Sequence, residues 1–525
     1  MTHLDTKKEQ ERSELHRAIW HIANDLRGSV DGWDFKQYVL GILFYRFISE
    51  NITNYINKDD PDPHFDYTKL SDADAEYGRA DTIIEKGFYI LPSELFINVR
   101  KNARNDNNLN ETLSMVFHKI ENSAKGSPSE DDLKGLFDDL DVNSNKLGAT
   151  VEKRNQTLMK LLNTIGDLKL GNYGDNTIDV FGDTYEYLMG MYASNAGKSG
   201  GEYYTPQEVS ELLAEITTVG KDKVNKVYDP CCGSGSLLLK FAKVLGKDNV
   251  RGGFYGQEIN ITTYNLCRIN MFLHDINYNN FDIAHGNTLT DPKHWDYEPF
   301  DAIVSNPPYS IKWDGDANPL MINDPRFSPA GVLAPKSKAD LAFVMHILSW
   351  LSTSGTAAIV EFPGVLYRSG AEQKIRKYLI DNNYIDTIIQ LPPDLFFGTG
   401  IATCIIILKK SKKDNKTLFI DASTEFVRGG NKNKLSGANR KRILNTFVER
   451  TDIPYFARLV DNNNIAENDY NIAVSSYVVA EDTRKTVDII ELNEEIERIV
   501  ARQEKLRREI DAIVAELESN NSNTI

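Results

Sequence analysis

Cysteine is scarce in this sequence, with four residues in 525, two of them the adjacent pair Cys231 and Cys232. None of the four has the C-x-x-C spacing of a zinc or thiol redox site, so no metal site is predicted and packing is their expected role. Basic charge is also in deficit, since 60 Lys and Arg face 76 Asp and Glu, for a formal net charge of −16. A protein that binds nucleic acid by itself usually carries a basic excess, so any such role needs a local basic face or a partner.

Long hydrophobic runs are missing too. The longest, YVLGILFYRFI at residues 38–48, contains Arg46 and is far shorter than the roughly 20 residues that span a bilayer. The first residues, MTHLDTKKEQERSELHR, lack the apolar core of a signal peptide. We therefore expect a cytoplasmic protein without a membrane segment.

Residues 1–170 are predicted to form a helical N-terminal domain. Apolar residues from Leu15 to Leu26 recur at helical spacing and Gly28 ends the pattern. A second helix is expected from about Asp34 to Ser49, and a third carries the apolar residues between 113 and 120. The stretches between them are rich in Asn, Asp and Ser, as loops are.

From about residue 224 the pattern changes to short β-rich runs that alternate with helical ones. Strands are predicted at 226–229, 254–258, 301–305, 357–362, 385–391, 403–409 and 418–422. This alternation is typical of a Rossmann-like, doubly wound α/β domain with a largely parallel sheet, which we place at residues 171–480. Little room is left for helices among the last three strands, so antiparallel pairing is expected at that edge.

Two segments beyond these strands have a distinctive composition. Residues 427–442, VRGGNKNKLSGANRKR, are glycine-rich and basic; a flexible solvated loop is expected, with a phosphate-contacting patch as the alternative. Residues 481–525 are predicted to form a C-terminal coiled-coil helix and tail, because apolar residues from Ile489 to Leu517 alternate by three and four. Polar Gln503 takes one a position. The apolar seam of this helix can pack on the same chain or on a partner helix. The length of the helix favours a partner.

A glycine-containing turn follows the strand KVYD and opens a helix. Gly233 and Gly235 allow the backbone to approach a ligand, while Asp229 stands at the strand end. The dinucleotide fingerprint fails because Leu238 replaces its third glycine. An ordinary strand-to-helix turn would also explain this segment taken alone.

Two further strand ends are polar. Glu258 ends the next predicted strand, where a carboxylate can accept both hydroxyls of a ribose, and Asn287 follows in HGNTL, where it can meet an adenine edge. Ligands of doubly wound folds bind at the carboxyl ends of the strands. The three strand ends together therefore predict a nucleoside pocket.

The stretch FDAIVSNPPYS at residues 300–310 places Asn306 and two prolines at the end of an apolar strand. The Asn306 side-chain oxygen and the Pro307 carbonyl can each accept a proton of a planar amine, and the prolines hold that carbonyl in place. Two acceptors favour a pyramidal nitrogen with a lone pair for attack on an electrophile. Tyr309 offers a ring face to a planar base.

The order of these motifs resembles that of the adenine-N6 DNA methyltransferases: GEYYTPQ (201–207), DPCCGSGSLL (229–238), GQE (256–258) and NPPY (306–309). NDLRGSVDGWDFKQYVLGILFYRFISE (24–50) and SNAGKSGGEYYTP (194–206) further resemble the modification subunit of type I restriction-modification systems. This likeness covers nearly the whole chain.

The resemblance implies S-adenosylmethionine as methyl donor and assigns roles to residues. Its methionine end would contact Glu202, Tyr203, Tyr204, Thr205, Pro206 and Gln207; its backbone end would contact Asp229 and the turn residues Gly233, Ser234, Gly235 and Ser236; and its ribose would contact Glu258. Asn306, Pro307, Pro308 and Tyr309 would form the catalytic loop. Asn287, the expected adenine contact, stands where many relatives have aspartate.

The resemblance also implies a substrate and partners. The target adenine of double-stranded DNA would have to be flipped out, with Tyr309 on one face and Phe396 or Phe397 on the other; core packing is the alternative for either phenylalanine. The acidic balance suggests that a DNA-specificity subunit (S) supplies target recognition. The family implies two copies of this chain per specificity subunit, joined by a restriction nuclease-translocase subunit (R).

The sequence offers three alternative functions. The G-K-S at 197–199 is not a P-loop, because Tyr192 stands where that motif needs glycine. Methylation of a glutamine side-chain amide in protein uses the same N-P-P-Y chemistry and is one rival. A subunit that binds the cofactor and serves only as a scaffold is the other. The helical front, the coiled-coil tail and the intact NPPY favour DNA methylation over both.

Overall fold

The structure is a computed structural model that describes residues 13, 16–17, 34–168, 180–195, 205–315, 318–397, 399–430, 432–479 and 489–522. The chain divides into two compact units, residues 1–479 and 480–525. The helix predicted over Leu15–Leu26 lies almost wholly outside the described residues. The domain boundaries at residues 170 and 480 stay predictions.

Helices build the first part of the larger unit. They are α1 Asp34–Asp59, α2 Asp72–Ala75, α3 Arg79–Lys86, α4 Phe96–Asn102, α5 Leu109–Ser123, α6 Glu130–Leu133, α7 Val151–Gly166 and α8 Val180–Asn195. The apolar run 38–48 is buried inside α1, which continues ten residues beyond the predicted Ser49. Arg46 is tolerated there because its guanidinium donates to the carbonyls of Ile165 (2.6 Å) and Leu168 (3.0 Å).

A nine-stranded sheet is formed by described residues of the second part. Its strands are β1 Val224–Asp229, β2 Val250–Glu258, β3 Phe281–His285, β4 Phe300–Ser305, β5 Leu351–Glu361, β6 Ile385–Gln390, β7 Cys404–Lys409, β8 Lys416–Asp421 and β11 Ala457–Asp461, in the order β11-β8-β6-β7-β5-β4-β1-β2-β3. The run from β3 to β5 is parallel, whereas β7 is antiparallel to both of its neighbours. The predicted parallel sheet with an antiparallel edge is thus confirmed, although β6 and β8 pair in parallel.

Helices cover both faces of this sheet. They are α9 Gln207–Thr217, α10 Ser236–Leu245, α11 Ile261–Leu273, α12 Asp340–Trp350, α13 Ala371–Asp381, α14 Gly437–Glu449 and α15 Asn462–Glu467. Successive strand residues alternate between two cores, so that Val304 packs with α9–α11 and Ile303 packs with α12 and α13. The fold is therefore the predicted doubly wound α/β type. Arg268 of α11 ties the sheet to the helical part by donating to carbonyls at residues 131–134.

The segment 427–442 is not the loop that its composition suggested. It forms a hairpin of β9 Val427–Gly429 and β10 Lys432–Lys434, and α14 follows. Ser436 and Asn439 start α14 with a capping box, in which the Ser436 hydroxyl accepts from the Asn439 amide at 3.2 Å and the Asn439 side chain accepts from the Ser436 amide at 3.0 Å. The S-x-x-N spacing was the available signal.

The smaller unit contains one described helix, α16 Ile489–Ser522. The helical part of the coiled-coil prediction is therefore confirmed. Its apolar seam is exposed, with Ile496 at 49% and Ile510 at 59%. Within the described ranges, no helix is both long and apolar enough to cross a bilayer.

Candidate active site

The polar strand ends meet at one edge of the sheet. β1 lies between β2 and β4, so Asp229, Glu258 and Asn306 all emerge at the carboxyl ends of adjacent parallel strands. The chain runs from β1 outward to β3 and then returns to β4 on the other side of β1. A crevice opens at such a switch point, which is where doubly wound folds bind ligands.

The turn between β1 and α10 requires its glycines. Gly233 (φ 53°) and Gly235 (φ 80°) adopt left-handed conformations that favour glycine. A Cβ at Gly235 would lie 2.8 Å from the Cys267 sulfur, so a side chain is excluded by space as well. Buried Ser234 and Ser236 complete the turn, and the Ser234 carbonyl accepts a 2.8 Å hydrogen bond from Asn270.

Glu258 binds the turn to β2. Its two carboxylate oxygens accept from the backbone amides of Gly233 (3.1 Å) and Asn260 (2.9 Å). Burial raises the pKa of this carboxyl, and the backbone amides oppose the shift. A carboxylate has about four lone-pair sites, so acceptor capacity remains for a ligand.

Asp229 is fully buried and joins the ends of β1 and β4. One oxygen accepts from the Cys231 amide (3.0 Å) and the Ser305 hydroxyl (2.9 Å), whereas Oδ2 has no partner among the described residues. Burial raises the pKa of this carboxyl to about 7, against the opposing effect of these hydrogen bonds. The end of β1 thus carries a buried acceptor oxygen for which a donor or a cation would be a favourable partner.

Asn287 shapes the third strand end. Its side-chain oxygen accepts from the Leu289 amide at 3.0 Å, which leaves the amide nitrogen as the group that can donate to a ring acceptor. Arg326, which the sequence did not single out, holds this turn. It is 1% exposed on its side chain and donates to the carbonyls of Thr288 and Leu289 at 2.7 Å each. A buried arginine inside a polar loop has no local sequence signal.

The NPPY loop contacts the segment that precedes α9. The Asn306 amide nitrogen donates to Oγ1 of Thr205 at 3.1 Å, and its oxygen accepts from the Tyr309 hydroxyl at 2.7 Å. Burial, followed by the Glu361 carboxyl, raises the pKa of Tyr309, so its hydroxyl stays protonated and donates. Asp340, at the start of α12, accepts from the Ser310 amide at 2.9 Å and fixes the end of the loop.

The two candidate stacking phenylalanines differ in their surroundings. Phe396 is 1% exposed and belongs to the core, whereas Phe397 is half-buried and lines a cavity of about 410 Å³. Pro206 and Gln207 line the same cavity, directly after Thr205. The buried Nε2 of Gln207 has no partner in the part of the chain that the structure describes.

The structure therefore brings Thr205, Asp229, Glu258 and Asn306, with their neighbours, to one edge of the sheet. Pro307 is buried behind Asn306, and Pro308 is half-buried. Glu202, Tyr203 and Tyr204 lie outside the described residues. Their predicted contacts with a cofactor stay predictions.

The strand order and the polar switch point define a Rossmann-like domain with a candidate ligand site at the carboxyl ends of β1, β2 and β4. Residues 176–486 match the model of the N-6 DNA methylase family, and residues 15–165 match that of the HsdM N-terminal domain. The chain is 47% identical to the type I restriction enzyme MpnII methylase subunit of Mycoplasma pneumoniae, over 98% of both chains. It is 32% identical to the MjaVIII methylase subunit of Methanocaldococcus jannaschii, over 73% of this chain and 68% of the relative.

A solved structure agrees with these relatives. The crystal structure of the type I restriction-modification methyltransferase subunit from Streptococcus thermophilus superposes with a TM-score of 0.81 at 36% identity, covering 89% of this chain and 99% of the other. The chain therefore belongs to the N-6 DNA methylase family and, within it, to the methylase subunits of type I restriction enzymes.

Proposed function

We propose that this chain transfers a methyl group from S-adenosylmethionine to N6 of an adenine flipped out of double-stranded DNA, as the methylation subunit of a type I restriction-modification complex. The observation that carries the proposal is the position of Asn306 at the end of β4, beside the crevice formed by Asp229 and Glu258. The Asn306 oxygen, which can accept from an amine, therefore lies next to the proposed nucleoside site at Asp229 and Glu258.

The residues of the crevice fit S-adenosylmethionine. The unpartnered Oδ2 of Asp229 suits a cationic or hydrogen-donating group, and Glu258 suits the ribose hydroxyls. Gly233 and Gly235 carry no side chain to exclude the ligand. When bound, the cofactor supplies a methyl group attached to a positively charged sulfur.

The NPPY loop accounts for activation of the amine. The Asn306 oxygen and the Pro307 carbonyl would accept hydrogen bonds from the two N6–H groups of adenine, which would leave the nitrogen lone pair free to attack. Held by Asp229, Glu258 and the glycine turn, S-adenosylmethionine would supply the methyl carbon for the new N–C bond and would keep the electron pair of the broken C–S bond on its sulfur. The nitrogen then loses one proton to solvent, so no general base is required.

Phe397 is the better candidate for the second face of the flipped base. It lines the cavity next to Gln207, while Phe396 is fully packed in the core. Stacking between Tyr309 and Phe397 would offset part of the few kcal/mol that unpairing requires.

Target recognition is assigned to a partner. The net charge of −16 disfavours independent DNA binding, and the exposed apolar seam of α16 suits a partner helix. The proposed partners are the DNA-specificity subunit, which would bind two copies of this chain, and the restriction nuclease-translocase subunit. The proposal also places the complex in the cytoplasm.

The test is to express the chain with and without its specificity partner and to supply labelled S-adenosylmethionine. Label should enter duplex DNA only when both subunits are present. Efficient methylation of a defined sequence by the chain alone would refute the division of labour. Label found only in protein would favour the protein-glutamine alternative.

A further inference from the structure

A local basic segment interrupts this acidic chain. Residues 427–442 contain six Lys or Arg and no Asp or Glu, although the whole chain carries a net charge of −16. A backbone polyanion would be attracted to such a segment, provided that its charges are held in place and are not neutralised by neighbouring acids.

The hairpin β9–β10 is held firmly through Asn433. This residue is 4% exposed, and its backbone amide donates to the carbonyl of Asp394 at 3.0 Å. Its side-chain amide donates to the carbonyl of Pro393 at 2.8 Å and its oxygen accepts from Arg428 at 3.0 Å. The hairpin is therefore fixed to the loop that follows β6.

Lys432 fixes the same loop further along. Its ammonium group donates to the carbonyls of Phe396 (2.9 Å) and Thr399 (3.1 Å), on either side of Phe397. Lys432, Asn433 and Lys434 line the cavity together with Phe397. The basic hairpin is thus part of the wall beside the candidate base-stacking residue.

Neighbouring acidic side chains form close ion pairs with some of the Lys and Arg residues of segment 427–442 but not with all of them. Arg440 pairs with Glu211, and Arg442 pairs with Glu425. Lys434 makes no ion pair with any described residue. Arg428 has a side chain 63% exposed, and its carboxylate partner Asp394 is 4.0 Å away.

The register of the hairpin places Lys434 and Arg428 on opposite faces. Lys434 pairs with Val427 and Arg428 pairs with Asn433, and side chains of successive strand residues alternate between faces. Burial raises the pKa of Glu208 in the cavity wall, whereas its own backbone amide and the charge of Lys434 oppose the shift. A narrow ribbon with a cation on each face can lie between two backbone phosphates, with one phosphate against each face.

We infer that the hairpin Val427–Lys434 binds the DNA backbone beside the flipped nucleotide, with Lys434 and Arg428 as phosphate contacts and Lys432 as the residue that positions the Phe397 loop. This rests on the proposed function, because it identifies where the chain meets its DNA substrate. Sequence recognition would still come from the partner subunit.

The experiment measures DNA affinity of the complex with its specificity subunit as a function of salt, for wild type, Lys434→Gln, Arg428→Gln and the double variant. Each lost phosphate contact should reduce the slope of log K against log[salt] by about 0.9, and the double variant by about 1.8. The loss should be equal on target and scrambled duplexes, since phosphates carry no sequence information.

Lys374→Gln is the matched control, an equal charge change at an exposed position of α13. It should leave the slope unchanged, and all variants should keep the wild-type melting temperature and affinity for S-adenosylmethionine. Unchanged slopes for Lys434→Gln and Arg428→Gln, or an equal change for Lys374→Gln, would overturn the inference. If the wild-type complex methylates DNA normally, either of these results refutes only the role of the hairpin and not the proposed function. A wild-type complex that methylates no DNA refutes the proposed function itself.

Discussion

The hydroxyl of Tyr309 donates a 2.7 Å hydrogen bond to the side-chain oxygen of Asn306. That oxygen is the acceptor which the proposed reaction assigns to the target amine. An amide oxygen has two lone pairs, so the amine can bind beside the tyrosine hydroxyl or replace it, and the ring of Tyr309 can stack on the base. In the structure, the Tyr309 hydroxyl thus supplies a hydrogen bond to the Asn306 oxygen.

The ring of Tyr309, more than its hydroxyl, should matter for methylation. Tyr309→Phe keeps the stacking face and frees the Asn306 oxygen, so single-turnover methylation should stay within about threefold of wild type. Tyr309→Ala removes stacking worth about 1–3 kcal/mol per base and should slow the reaction about 10- to 100-fold. A phenylalanine variant as slow as the alanine variant would show that the hydroxyl itself takes part.

Thr205 is expected to orient Asn306. It accepts from the Asn306 amide nitrogen at 3.1 Å and is 4% exposed. Thr205→Val removes the acceptor at nearly constant volume and should lower kcat about tenfold, the equivalent of one hydrogen bond, whereas Thr205→Ser should retain activity. A raised KM for S-adenosylmethionine with unchanged kcat would instead assign Thr205 to the cofactor.

The free energy of unfolding should depend on pH through Asp229. Its pKa is raised from 3.8 to about 7 in the folded chain. Between these values the folded state keeps a proton that the unfolded state releases, so the stability contribution is lost as pH rises through this window. The loss is on the order of 4 kcal/mol at most. Denaturant unfolding at both ends of the window should show a larger loss for wild type than for Asp229→Asn; the variant keeps other buried carboxyls with a raised pKa, such as Asp132, so the difference between the two proteins reports Asp229.

Arg326 should affect cofactor binding more than turnover. The two guanidinium nitrogens of Arg326 donate to two successive carbonyls of the turn that follows Asn287, and a lysine cannot reproduce this pair of hydrogen bonds. Arg326→Lys should therefore raise KM for S-adenosylmethionine about tenfold, with kcat within about twofold of wild type. Arg376→Lys is the control, because Arg376 is also buried, at 1% exposed against 2% for Arg326, and donates to carbonyls away from the turn. Equal effects of both variants on KM would reduce Arg326 to a general stability role.

Local features of this chain were predictable from its sequence. The turn at Gly233 and Gly235 and the strand ends at Asp229 and Glu258 depend on neighbouring residues, and the NPPY loop follows directly from its strand. The alternation of strand and helix patterns predicted the doubly wound fold class, because these patterns also depend on residues that are neighbours in the sequence.

Features that depend on distant residues were not predictable. The Thr205–Asn306 hydrogen bond joins positions 101 residues apart, and Arg326 reaches back 38 residues to Thr288. The basic hairpin was misread as a loop because its strands have three residues each and are held by Asn433, which no periodicity reveals. The glycine-rich, basic composition of this segment favoured a solvent-exposed loop.

The central claim is that the Asn306 oxygen prepares an adenine amine to accept a methyl group. The most direct measurement is mass-spectrometric quantification of N6-methyladenine in duplex DNA incubated with S-adenosylmethionine and the assembled complex, for wild type and Asn306→Ala. Wild type should produce N6-methyladenine, and Asn306→Ala should lower the rate by about 10²–10³-fold or more at unchanged DNA affinity. Undiminished methylation by Asn306→Ala, or a methyl group found on another atom, would contradict it.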